Sequence, residues 1–450
     1  MDKLVNLMEV LVARDRRALR QSELIAQYHK PMISFTMNIA GPIKNNPDIK
    51  RGYELGKQML KRELQLAEIR CLHFEEISES TGNEAFYVLD AEPVEIKRVT
   101  TEIEDMTPLG RLFDLDVINT QKRKIDRREV GLEGRKCLIC GNDAKECARS
   151  RTHSVEELQK KTSEILRTVF ENEDAERAAE LACKALLYEV CTTPKPGLVD
   201  CQNNGSHKDM DLFTFLNSAC ALRPYFERCV RIGRQTEHLP AKKTFEQIRK
   251  EGMRAERTMF AATRGVNTHK GAIFSMGILC AALGRLSREE WKQPDLVLNE
   301  CANMAEGIVE KDFKHLSKEN AVTNGQKLYV NYGITGIRGQ VEDGFPAVRN
   351  VGLPILRKGL QEGRTINESG GAALLAIMTE SIDTNLIARS DICTQREVVD
   401  DVKSILAENP YPNVEKLNEL DQKFIQKNLS PGGSADLLAI CYLLYFLEND

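Results

Sequence analysis

Apolar positions recur at helical spacing over residues 2–30, and the stretch closes at Lys30-Pro31, where proline cannot continue a helix. Met32-Ile-Ser-Phe-Thr-Met-Asn-Ile39 then alternates as a half-buried strand does and ends at Gly41-Pro42. Helical period returns from Ile49 to Leu66. Three further stretches read as strands: Ala85–Leu89, Val94–Met106 and Arg111–Ile118. Together these predict a modest α+β domain. The texture changes near residue 160. Ser154 to Asp174 is polar, helical and rich in Glu and Lys, the expected join. Beyond it Ala178, Leu181, Ala182, Ala185 and Leu186 make one apolar stripe. Gly271 to Leu283 is apolar nearly all round, as a central buried helix is. No strand and no repeat of solenoid length is read after residue 175. The expectation is two domains, 1–160 of α+β nucleotidyltransferase-like type and 161–450 an all-α helical bundle.

A chain of 450 residues suits two domains better than one. A net charge of −4 argues against nucleic-acid or membrane binding, which draws on a basic surplus. The local basic run Lys122, Lys124, Arg127, Arg128, Arg135 and Lys136 reads as a solvated face or loop. Asp2, Lys3 and the Arg14–Arg17 cluster sit where a secretory signal has its apolar core. The longest apolar run, Leu437 to Leu447, has 11 residues; a bilayer span takes roughly 20. It reads as a buried terminal helix. Thirteen cysteines, odd in number and scattered, fit a reduced, cytoplasmic protein.

Two chemistries stand out in the first domain. Strand periodicity in Phe113-Asp-Leu-Asp-Val117 puts Asp114 and Asp116 on one face, opposite Phe113, Leu115 and Val117. Two carboxylates so placed repel unless a cation lies between them, and Mg²⁺ with phosphate oxygens suits them. The alternative is two solvated aspartates; a third carboxylate on a neighbouring strand would favour the metal, with Glu102, Glu104 and Asp105 available. The second is Cys137-x2-Cys140-x6-Cys147-x5-His153. Those intervals suit tetrahedral zinc. Arg149, Arg151 and His153 could equally contact phosphates, and the thiols could simply be reduced packing groups.

Four blocks punctuate the helical half: Thr192 to Asp200, continuing to Asp211; Thr263 to Gly271; Tyr332 to Gly339; and Ser430 to Asp436. Two of them open helices with glycine or small polar residues, where free N–H groups favour anions. Lys195, Arg264, Lys270 and Arg338 offer charge to a polyphosphate. Asp200, Asp209, Asp211 and Asp436 could hold Mg²⁺ or face a cationic transition state. Each block also reads as an ordinary turn or cap.

Three stretches resemble the holo-citrate lyase synthase family of apo-citrate lyase phosphoribosyl-dephospho-CoA transferases: Met32 to Lys44, Gly110-Arg-Leu-Phe-Asp-Leu-Asp-Val117, and Cys137 to His153. Pro194-Lys-Pro-Gly-Leu-Val-Asp200, Thr263-Arg-Gly-Val-Asn-Thr-His-Lys-Gly271 and Ser430-Pro-Gly-Gly-Ser-Ala-Asp436 resemble triphosphoribosyl-dephospho-CoA synthase. The resemblance covers nearly the whole chain, in the order of the fused form of these enzymes. It implies that ATP and 3′-dephospho-CoA give 2′-(5″-triphosphoribosyl)-3′-dephospho-CoA and adenine. The group would then pass to a serine of the citrate lyase acyl carrier subunit, releasing pyrophosphate. The catalytic candidates become Asp114, Asp116, Asp200 and His269, with Mg²⁺ on Asp114 and Asp116. Lys195, Gly197, Arg264, Lys270, Arg338, Gly432 and Gly433 are the phosphate- and nucleotide-binding candidates. Cys137, Cys140, Cys147 and His153 remain the zinc candidates. Two rival readings stay open: a metal-dependent nucleotidyltransferase fused to an N-glycoside hydrolase, and a zinc and helical docking scaffold without activity.

Overall fold

In the computed structural model, which describes residues 3–450, the chain divides into two compact units, 1–170 and 171–450. Asp2, where the sequence pattern starts its first helix, lies outside the described residues. The division falls within one helix, Val155–Cys191. The described residues are mostly helical, with one four-stranded antiparallel sheet in the first unit.

That sheet has the order β2-β3-β1-β4, from β1 (Met32–Met37), β2 (Arg70–Glu79), β3 (Gly82–Asp90) and β4 (Phe113–Ile118). Its two faces follow from the alternation. Ile33, Phe35, Phe113, Leu115 and Val117 pack with α2 (Pro47–Leu66) and α3 (Pro93–Met106) in the larger core. The contact is close: a Cβ on Gly56 of α2 would lie 2.6 Å from the Phe35 ring. On the other face Met32, Phe86, Val88 and Ile118 pack against Leu24 and Ile25 of α1 (Leu7–Tyr28). Asn6 and Glu9 form a capping box that fixes where α1 begins.

Two elements correct the sequence reading. Val94–Met106 is helical, not a strand: Pro93 occupies the first turn, and Ile96, Thr100 and Ile103 fall on one buried face at helical spacing. β2 escapes notice because it is an edge strand, exposed along most of its length and without an apolar alternation.

The described residues of the second unit contain helices and no strand. At its centre Lys270–Arg285, Ile366–Glu380 and Gly432–Glu448 are buried on nearly every side, which is why their sequences carry no polar face. Glycine sets one crossing. A Cβ on Gly233 would lie 2.1 Å from the Ala281 carbonyl oxygen, and one on Gly284 2.0 Å from that of Val230. Only glycine at both positions lets these two backbones approach.

Candidate active sites

In the first unit, β1 places Thr36 between Asp114 of β4 and Glu84 of β3, so both acids share the face toward α1. Asp116 follows two residues on and pairs with Lys124. The carboxylates expected beside them behave differently. Glu102, Glu104 and Asp105 lie on α3 rather than on a strand. Glu104 accepts from the Leu115 N–H at 3.1 Å and pairs with Arg127 at 3.0 Å, on the opposite side of the sheet. The acid that does share the face is Glu84, which carries no motif. It is buried, receives Arg17 of α1 at 2.5 Å, and keeps its second oxygen without a partner.

A cavity of about 130 Å³ opens here, lined by Arg14, Arg17, Asn38, Lys44, Asn83 and Asp114 among others. Burial pushes the Asp114 carboxyl up, and the neighbouring Asp116 adds to this; Arg135, Lys124 and Arg17 oppose it. Burial, and then Arg14, holds the Lys44 ammonium below its ordinary value. The donor set fits a divalent cation in part. Asp114 and Asp116 are hard oxygen ligands that repel one another, which a cation would relieve; Asp116 is otherwise engaged by Lys124, and no third carboxylate gathers with the pair among the described residues. The rest of a Mg²⁺ shell falls to water and phosphate oxygens, as that ion prefers.

Among the described residues, the group of three or more possible metal ligands that lies together is Cys137, Cys140, Cys147 and His153, whose ligand atoms all fall within 4.8 Å of one another. His153 and the Asn142 backbone draw the Cys140 thiol down to about 6, while Cys140 pushes Cys147 up to about 11.

In the second unit, all four blocks contribute to the lining of one cavity of about 420 Å³. Lys195, His269, Lys270, Gly432 and Gly433 all line it. The third block contributes Gly336 and Ile337 but not its arginine. Arg338 instead pairs with Asp312 at 2.9 Å and stacks over the Phe313 ring, an arrangement that fastens helices together. Arg264 is exposed on a left-handed turn, away from the lining. Asp200 is buried beneath its loop, accepting the N–H groups of Lys195, Gln202 and Asn203, and so shapes the block without facing the cavity. Gly197 is likewise a packing position. Its N–H goes to Asp421, its φ is +70°, and a Cβ there would lie 2.3 Å from the Leu429 carbonyl oxygen.

The acids that do line the cavity are Glu189, Asp383 and Asp436. Glu189 pairs with Lys195, and both are buried. Burial pushes all three carboxyls up; Glu189 and Asp383 add to the effect at Asp436, while Lys195 opposes it at Glu189. They sit where the sequence suggested phosphate. The helices Lys270–Arg285 and Gly432–Glu448 begin without a local side-chain cap. Asp383 takes the Ser434 N–H at 2.8 Å, and the Ala272 N–H bonds Asp436, which lies against Gly271. Both helix ends are therefore already partly satisfied by carboxyl oxygens of the chain itself. Positive charge lies around them in Lys270 and in Arg389, which is 3.0 Å from His207.

His269 is held by a polar chain. Thr268 donates to Ser218 at 2.8 Å, and Ser218 Oγ lies 2.7 Å from His269 Nδ1. Ser218 can donate to Nδ1 while it accepts from Thr268. The ring's Nε2 is buried and has no partner in the protein. Burial, reinforced by Lys195, holds this imidazole down at about 3. It is a neutral imidazole in the wall of the cavity. Burial and then Arg389 hold His207 down at about 4.

Residues 5–169 match the family model described as apo-citrate lyase phosphoribosyl-dephospho-CoA transferase (CitX), and residues 175–450 that of ATP:dephospho-CoA triphosphoribosyl transferase (CitG). A protein named CitXG from Haemophilus influenzae is 34% identical over 99% of this chain and 96% of its own. The CitXG protein of Leuconostoc mesenteroides subsp. cremoris is 35% identical over 98% of this chain and 97% of its own. A 2-(5''-triphosphoribosyl)-3'-dephosphocoenzyme-A synthase from Haemophilus ducreyi is 41% identical over 69% of this chain and 99% of its own. The chain thus belongs to the CitXG family, in which the phosphoribosyl-dephospho-CoA transferase and the triphosphoribosyl transferase are joined in one polypeptide.

Proposed function

We propose that the chain makes the citrate lyase prosthetic group and attaches it, residues 161–450 performing the first reaction and residues 1–160 the second. The observation that carries the reading is the convergence of Lys195, His269 to Gly271 and Gly432 to Asp436 on one cavity with an acidic floor and cationic rim. In the first reaction the 2′-hydroxyl of 3′-dephospho-CoA attacks the ribose C1′ of ATP. The bond from C1′ to adenine N9 breaks, the hydroxyl proton is lost, adenine leaves and the triphosphate stays intact. Lys270 and Arg389 hold the phosphates. Glu189 and Asp436 face the positive charge that develops on the sugar ring, which favours their ionised form. His269 Nε2–H donates to a ring nitrogen of the departing adenine. Each interaction is stronger in the transition state than before it, as catalysis requires.

In the second reaction a serine hydroxyl of the acyl carrier subunit attacks the α-phosphorus of the triphosphate, and pyrophosphate leaves. Asp114 and Asp116 are the residues to hold Mg²⁺, which would neutralise phosphate charge. Arg14, Arg17 and Lys44 bind the remaining phosphate oxygens and orient the leaving group. Such chemistry belongs in the cytoplasm, where ATP and dephospho-CoA are available. No described helix is long and apolar enough to cross a membrane.

Mass spectrometry of the full chain with ATP, dephospho-CoA and Mg²⁺, with and without apo-carrier, tests both halves. The expected products are adenine with a triphosphoribosyl adduct, then modified carrier with pyrophosphate. Asp114→Asn and Asp116→Asn should abolish carrier labelling and leave adenine release intact. Adenine formed without adduct would overturn the first assignment; labelling by both variants would overturn the second.

A further inference from the structure

We infer that Cys137, Cys140, Cys147 and His153 bind one structural zinc ion that holds the segment leading out of β4. The local chain is shaped for it. Cys137 N–H donates to Asn142 at 2.6 Å and Gly141 N–H to Cys137 at 3.2 Å, so the Cys-x2-Cys stretch closes a tight turn, with Gly141 at φ +76°. Asp143 then caps the short helix Ala144–Ser150 through Lys145 and Glu146, which brings Cys147 back over the turn. Arg151, in left-handed conformation, ends that helix and returns His153. The outcome is four soft or imidazole ligands from one loop, all within 4.8 Å of each other.

The spacing matches a metal cage rather than a covalent bridge. Zinc–thiolate bonds of about 2.3 Å in a tetrahedron put sulfurs about 3.8 Å apart; Cys140 and Cys147 Sγ are 3.5 Å apart. A disulfide needs about 2.05 Å. His153 Nε2 is buried and without a hydrogen-bond partner. Four protein ligands close the shell, which makes the site structural.

Apart from polar ties such as Arg127 to Glu104, the segment has little to hold it folded. Between Asn119 and Ser154 only Ile125 and Cys137 are buried. So little apolar burial cannot offset the entropy of ordering a loop of this length, and a metal cross-link can. What it holds matters for the neighbouring site. Arg135 donates to the carbonyl oxygens of Phe113 at 2.8 Å and Arg111 at 3.3 Å, and Arg111 donates to Lys136 at 2.5 Å. The cage thereby fixes the chain against β4 immediately before Asp114.

Elemental analysis of the untagged full chain, purified without chelator, should find one zinc per polypeptide. Cys140→Ser and Cys147→Ser, both away from the core, should lower zinc affinity by more than the roughly 10–100-fold that loss of an outer-shell partner causes. His153→Cys should retain it. Cobalt exchanged into the site should show the intense visible bands of tetrahedral thiolate coordination. Folded protein without zinc, or an intact-mass loss of two hydrogens reporting a Cys140–Cys147 disulfide, would overturn the assignment. So would zinc that persists in the Cys140→Ser/Cys147→Ser double variant. Adenine release serves as the internal control, because it belongs to the other unit and should be the same in every variant.

Discussion

His269→Asn provides the sharpest test of how the helical unit's cavity is held. His269 is 2% exposed and its imidazole sits at about 3 in the folded chain, against an ordinary value of 6.5. Between those limits the unfolded chain binds a proton and the folded chain does not. The associated stability is therefore complete above about pH 6.5 and falls as the pH drops through the window. At about pH 5 the loss is about 1.5 × 1.36, or about 2 kcal/mol. Asparagine keeps a hydrogen-bonding group near the Nδ1 position and removes the titration. Its cost in packing is independent of pH and cancels when two pH values are compared. His207 behaves in the same sense, and the raised carboxyls of Glu189, Asp383 and Asp436 act in the opposite sense, so only the comparison of wild type with variant isolates His269. Denaturant unfolding can be followed by Trp291, the only tryptophan, which is buried in the helical unit and reports that unit alone. From about pH 7.5 to about pH 5 the wild type should lose about 2 kcal/mol more than the variant. Equal losses would refute the neutral buried imidazole. So would a limb near pH 6.5 in the rate of adenine release that disappears in the variant, since that would place an ordinary histidine here.

Other consequences follow from the same geometry. On an open helix Gly233→Ala would gain about 1 kcal/mol from propensity; here the new Cβ meets a backbone oxygen, and overpacking of about 1–3 kcal/mol wins, read as a lower Trp291 unfolding midpoint. Asp436→Asn should lower adenine release by roughly 10²–10³-fold, the scale on which one charge-stabilising group acts. The same variant should be at least as stable as wild type at neutral pH. Burial raises the Asp436 carboxyl, so its contribution to stability declines as pH rises above the unfolded value, and the amide removes that decline. Lys270→Ala should raise the KM for ATP, whereas Arg338→Ala should leave KM unchanged and reduce stability by less than about 1 kcal/mol, because its ion pair is partly exposed.

The patterns that were legible in the sequence are those written locally. Alternation alone set Asp114 and Asp116 on one face of β4, and continuous apolar runs gave the buried helices Lys270–Arg285 and Gly432–Glu448. The spacing of Cys137, Cys140, Cys147 and His153 likewise lies within one loop, and the structure does gather them. What failed depended on tertiary partners. Val94–Met106 is rich in β-branched residues and looked extended, but its helical face is defined by what lies beneath it, the strand β4. The block around Asp200 is a turn whose carboxylate is consumed by its own backbone, a pattern foreshadowed by Asp200-x-x-Asn203. Glu84, Glu189 and Asp383 have no motif, since each becomes a cavity or face residue only when another segment is brought to it. The deepest difference concerns the sign of the ligand. Glycines opening two apolar helices suggest anion sites, and that inference assumes the helix ends are free. Here Asp383 and Asp436 supply acceptor oxygens to those ends from within the chain. Their carboxyl groups then line the floor, which on the proposed reading faces the group that becomes cationic, with phosphates left to Lys270 and Arg389. A sugar losing its base while keeping its triphosphate satisfies both demands; a phosphate bound against the floor would satisfy neither.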